Sequence, residues 1–203
     1  MKTALSTREK TLRMVQIALL MALEVVLTLL YIPVGTINLN FGLVPIVIAA
    51  IFLGPLAGML IGCVSGAVTA IQVLTVPSLF NTFLVTVNPI AACVISVIKT
   101  AVAGLLVGFV YRLMNKLCKF SLINTLVSSA LCPVVNSGIF AVGMFAFFSD
   151  ALLADATLST YGSVLAIVFV GLIGVNFIIE FIVTTLISPA LCKTITAAKI
   201  FSK

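Results

Sequence analysis

Three ionisable side chains, Glu24, Lys99 and Glu180, stand inside otherwise apolar stretches. A charge at membrane depth is retained where it meets a partner, a substrate or water, so each invites a functional explanation. Glu180 closes the run N-F-I-I-E, four residues after Asn176, a spacing that places both side chains on one face of a helix. Asn136, beside Ser137 and Gly138, adds an amide from a different apolar segment. With Lys99, in S-V-I-K-T-A-V-A-G, these groups could form a polar pocket among Phe, Met and aliphatic side chains, the usual composition of a small-molecule site. Two roles are open to Lys99: an ion pair with Glu180, or the counter-charge to a carboxylate on a substrate. Glu24 has only apolar sequence neighbours, which suits an interhelical partner better than a ligand.

The same inventory excludes most chemistry. His is absent, removing the commonest metal ligand and proton shuttle. The five Cys are scattered without a C-x-x-C pair and read as small apolar residues at packed faces. No metal site or cofactor is expected. An intramembrane aspartyl protease needs two embedded Asp, whereas Asp150 and Asp155 fall in S-D-A-L-L-A-D-A-T-L-S-T, read as an outer loop. No G-x-x-x-x-G-K-[ST] loop is present, so ATP would have to be used by another chain.

The elements that must position these residues are membrane helices. Of the 203 residues, 63% are apolar and 8% charged, and the mean hydropathy is +1.38. At roughly 20 residues per span there is room for about six helices and no soluble domain. The expected fold is an all-α integral membrane protein, a single domain over 1–203 with helices near 11–30, 41–54, 56–75, 89–111, 121–148 and 161–188. The first apolar stretch is long and has no small-residue cleavage site before Tyr31, so it should stay in the membrane.

Topology follows from the basic residues. Except for Lys99, they fall in three clusters: Lys2, Arg8, Lys10 and Arg13; Arg112, Lys116 and Lys119; Lys193, Lys199 and Lys203. Cytoplasmic ends of membrane helices are enriched in Lys and Arg, so all three clusters and both termini should be cytoplasmic, with even numbers of spans between them. The net charge of +6 therefore reports topology and anionic lipid, not nucleic acid. The stretch Tyr31–Asn40 reads as a short extended loop, L-G-P-L at Gly54 and Pro55 as a tight turn, and 76–88 as a second outer loop. Pro133 and Pro189 should kink or end their helices. Small residues every four positions, Gly58, Gly62, Gly66 and Ala70, then Gly104 and Gly108, would let helix backbones approach closely.

The chain resembles the substrate-binding (S) components of energy-coupling factor (ECF) transporters, bacterial and archaeal vitamin importers. The similarity runs nearly the whole length, through A-L-L-M-A in the first helix, F-G-L-V-P-I-V-I-A-A-I-F-L-G-P-L-A-G-M-L-I-G from Phe41 to Gly62, and N-P-I-A-A-C-V-I-S-V-I-K-T-A-V-A-G-L-L-V-G from Asn88 to Gly108. The resemblance implies docking of Ala18 and Ala22 on a transmembrane energy-coupling subunit that works with two ATP-binding subunits. It also implies a substrate site near the outer face, at Asn38, Asn40, Asn81, Asn88, Lys99, Asn136, Asn176 and Glu180. Several members have Arg where Lys99 stands, including pantothenate and folate types, which points to a carboxylate-bearing vitamin with pantothenate ahead. The absence of Trp disfavours flat-ring vitamins such as thiamine and riboflavin, whose stacking would fall to Phe80, Phe83, Phe140 or Phe177. The competing expectation is a self-sufficient proton-coupled carrier using Glu24 or Glu180, against which stands the lack of paired inverted repeats.

Overall fold

The computed structural model describes residues 7–30, 32–34, 37–39, 41–117, 121–154 and 163–198. Helix α1 (Thr7–Leu29) buries Leu20, Glu24 and Thr28, one stripe at four-residue spacing, and leaves most of its other side chains outside the bundle. A short antiparallel ribbon follows, β1 (Ile32–Val34) against β2 (Ile37–Leu39), with Pro33 opposite Asn38. The extended loop expected here is therefore a paired hairpin, and β2 lies against the last long helix.

Helix α2 (Leu43–Phe52) is apolar throughout and buried from Leu43 to Ala50. Its ten residues rise only about 15 Å, half a hydrocarbon core. Two contacts give its depth. A guanidinium nitrogen of Arg13 donates to the Leu53 carbonyl at one end. At the other, a Cβ on Gly42 would meet Glu24 Oε1 and Thr28 Oγ1 at 2.5 Å. The stretch of α1 from Arg13 to Glu24 rises about 16 Å, so α2 runs antiparallel along the middle of α1. Among the described residues five helices are long and apolar enough to cross a membrane; the second of the six expected spans is this half-length helix.

At the α2–α3 turn Gly54 has φ +98°, a conformation that side chains with a Cβ rarely adopt. Pro55 then opens α3 (Pro55–Thr75), where a missing N–H costs no helix bond. The glycine ridges set α3 against α5 (Pro89–Leu117) in antiparallel register. A Cβ on Gly58 would stand 2.6 Å from the Gly104 carbonyl oxygen, one on Gly62 would strike the Thr100 carbonyl, and one on Gly66 would lie 2.5 Å from Val97 Cα. Thr100 Oγ1 donates across this seam to the Gly62 carbonyl at 2.7 Å.

Between them, α4 (Leu79–Val87) occupies the segment expected to be loop. Ser78 caps it, accepting from the Asn81 N–H at 3.1 Å, which satisfies one of the first-turn donors. Helix α6 (Ser121–Ala154) is longer than expected, runs on through Pro133, and takes Asp150 into its last turn instead of a loop. Asp155 lies outside the described residues. The last span begins with α7 (Val164–Ala166), continues as a π-helical stretch, Ile167–Ile173, and becomes α8 (Gly174–Ala197), which also continues past its proline, Pro189.

Large apolar side chains face outward throughout, among them Leu79, Ile90, Val142 and Leu186, as lipid-facing residues would. Arg13 at Leu53 and Arg112 beside Gly54 converge on the α2–α3 turn. Ile195, near the end of α8, packs on the cluster that contains Leu53. The three chain regions carrying the basic clusters thus meet at one end of the bundle, opposite the hairpin.

Candidate functional site

Toward the hairpin end the helices line a partly open cavity of about 120 Å³, room for several waters or part of a small solute. Its walls come from α3 (Thr69, Gln72, Val73), α4 (Phe80, Asn81, Leu84), α5 (Ser96, Lys99), α6 (Asn136, Ser137, Phe140), and the π-helical stretch with α8 (Leu172, Ile173, Asn176, Glu180). The i, i+3, i+4 spacing in α3 and the i, i+4 pairs in α6 and α8 turn these residues to one centre. The glycine seam sets the separation of the α3 and α5 walls.

The polar groups of the cavity are unevenly satisfied. Lys99 Nζ lies over the Phe140 ring, 5.2 Å from its centroid, a distance at which the ring face attracts a cation. Glu180 feels the Lys99 charge and accepts a hydrogen bond from the Asn176 side chain. Glu180 Oε2, Asn136 Oδ1 and Asn176 Oδ1 are buried without a hydrogen-bond partner. Buried acceptors left unpaired are costly and usually mark the place of a water or ligand. The cavity wall thus carries one ammonium, one carboxylate, four amides and three hydroxyls on an apolar frame, with Phe80 edge-on to Phe140 at 6.2 Å.

Of the residues anticipated from sequence, Asn81, Lys99, Asn136, Asn176 and Glu180 line this cavity. Asn81 is partly committed elsewhere, since Nδ2 donates to the Val76 carbonyl at 2.9 Å and the Gln72 carbonyl at 3.4 Å. Asn88 does not line the cavity; Oδ1 accepts from the Ala91 N–H at 3.0 Å and caps α5. Asn38 sits in β2 opposite Pro33, and Asn40 lies outside the described residues. Ala18 and Ala22 are exposed on the outward face of α1, four residues apart.

Thr69, Gln72, Ser96 and Ser137 were not anticipated. Ser96 precedes Lys99 by three positions and Ser137 adjoins Asn136, so helical periodicity could have found both. Gln72 also ties the site to Glu24. Thr28 Oγ1 donates to Glu24 Oε1 at 2.7 Å, Gln72 Nε2 donates to the Thr28 carbonyl at 3.0 Å, and Asn81 closes on the Gln72 carbonyl. Glu24 is fully buried and hydrogen-bonded to Ser65 of α3 as well. It anchors the wall from behind and is absent from the cavity lining.

A multi-pass helical membrane protein with a polar, small-solute cavity toward one end of its bundle is the class this fold and site define. Residues 12–192 match the family model described as the ECF transporter, substrate-specific component, and the chain belongs to that family. It is accordingly a transporter's binding subunit and not an enzyme. Among solved structures, ThiT from Listeria monocytogenes is similar in fold, with a TM-score of 0.53 over 95% of this chain and 98% of that one, at 16% sequence identity. No curated protein matches.

Proposed function

We propose that this chain captures a water-soluble vitamin outside a bacterial plasma membrane and presents it for ATP-driven import by a separate coupling module. The substrate is an acidic vitamin, pantothenate being the first candidate. The module comprises a transmembrane energy-coupling subunit and two ATP-binding subunits. Both termini and the basic end of the bundle are cytoplasmic, and the ribbon with α2 makes the remaining crossing, which gives the even numbers of spans the basic clusters require.

One observation carries the substrate assignment. Lys99, on the wall of a partly open cavity, makes no direct salt bridge with Glu180 among the described residues and rests on the Phe140 ring. An ammonium so placed is available to a carboxylate and gains from a charge-assisted hydrogen bond. The exposed Ala18 and Ala22 leave a low-relief strip on α1 against which another helix can pack closely.

A thermal-shift screen of the purified protein against water-soluble vitamins tests the reading, because a ligand that binds only the folded state raises the melting temperature. Stabilisation by pantothenate or another acidic vitamin, lost in Lys99→Ala, is expected. Stabilisation that survives Lys99→Ala removes the counter-charge role, and a screen with no stabilising vitamin removes the proposal.

A further inference from the structure

We infer that the substrate joins its carboxylate to at least two hydrogen-bond donors, hydroxyl, amide N–H or amine, and is not a simple acid. The inference rests on the reading that the cavity is the substrate site, and it follows from counting what the cavity offers. The lining holds one cation, Lys99. Against it stand three buried acceptor atoms without partners, Glu180 Oε2, Asn136 Oδ1 and Asn176 Oδ1. Their residues stand on two helices, α6 and α8, and line the same cavity as Lys99.

A carboxylate has no proton to donate, so a ligand made only of acceptors would leave these atoms unpaired and bring like charge to Glu180. The cost of unpaired polar groups is the strongest device by which a site rejects an analogue lacking a donor. A ligand with donors reverses the sign. Its anionic end meets Lys99 over the Phe140 ring, and its donors meet the acceptors of α6 and α8.

Charge gives the same answer. With Lys99 and Glu180 both charged the set is neutral, so a dianion adds two charges to a buried site, a monocarboxylate one and a zwitterion none. The class selected is a small monocarboxylate with hydroxyl or amide groups, or a zwitterion whose ammonium faces Glu180. Dicarboxylates and plain fatty acids are refused.

Calorimetric titration of the purified full-length protein with a graded set of acids tests this directly. The set is heptanoate with no donor, pimelate with a second carboxylate, 6-aminohexanoate with an ammonium, biotin with ureido N–H groups, and pantothenate with two hydroxyls and an amide N–H. At least one of the last three should bind tenfold or more tightly than heptanoate and pimelate. In Glu180→Gln and Asn136→Val, the preferred ligand's advantage over heptanoate should shrink by at least tenfold. Because the comparison among ligands is made on the unaltered protein, it stands even if a variant folds poorly. Equal or tighter binding of heptanoate or pimelate would overturn the inference and leave the vitamin-binding reading intact. Binding of none of these acids, with stabilisation by a neutral vitamin in the thermal-shift screen, overturns the inference and the acidic-substrate assignment; binding of nothing in either experiment overturns the vitamin-binding reading as well.

Discussion

Lys99 and Glu24 show how two charges in one bundle come to serve different ends. Lys99 stands on the cavity wall with an aromatic face for support, so its removal should act on the ligand. Lys99→Met is predicted to weaken substrate binding by tenfold to a hundredfold, the scale of a hydrogen bond to a charged group at about 1.5–3 kcal/mol. Lys99→Arg should restore part of that loss in the same titration. Glu24 instead holds Thr28 and Ser65 behind the wall, and Glu24→Ala should act mainly on the fold. The expected cost is about 2 kcal/mol, from a lost hydrogen bond and a cavity, read as a lower melting temperature of the unliganded protein. Lys99, Asn136, Asn176 and Glu180 were legible in the sequence because a polar residue in an apolar run stands out, and helical spacing says which ones share a face. Glu24 was visible too, as a residue suited to an interhelical partner, but the partner was not. Ser65 and Gln72 are far away in the chain, and no periodicity within α1 points to them.

At the scale of elements the α3–α5 seam is the part on which the site's shape depends. Gly62→Ala would drive a methyl group into the Thr100 backbone, and Gly104→Ala would do the same at Gly58. Neither neighbour is a flexible side chain that could move aside. Each substitution should destabilise by about 1–3 kcal/mol and weaken binding as α3 and α5 separate, whereas Ala at the lipid-facing Leu60 should leave binding unchanged. The glycine spacing announced this seam because close approach needs small residues at every turn of a helix, and sequence reports that directly. Helix α4 was hidden by its flanks. Pro77 and Pro89 read as loop punctuation, yet Ser78 is a good cap and the nine residues after it suffice for two turns. Of the two outcomes expected at Pro133 and Pro189, a kink or an end, the helices do not end there. The cost of a proline in a helix can be met by the packing around it, which local sequence does not display. The half-length of α2 was invisible for a related reason. Residues 41–54 are apolar because they are buried on all sides, not because they cross the full membrane.

For the whole molecule, binding and transport should be separable. The cavity lies within the bundle, while Ala18 and Ala22 are on the outward face of α1. Replacing both with Trp is predicted to abolish vitamin uptake in cells carrying the coupling module, with substrate affinity of the purified protein unchanged within about twofold. Unchanged uptake would place the docking surface elsewhere. The most direct test of the account is uptake of radiolabelled water-soluble vitamins, pantothenate first, into sealed proteoliposomes. The chain would be reconstituted alone under an imposed proton gradient, and with its coupling subunit and ATP-binding subunits plus ATP. The account predicts accumulation only with the complete module and ATP, and none by the chain alone; gradient-driven accumulation by the chain alone would contradict it.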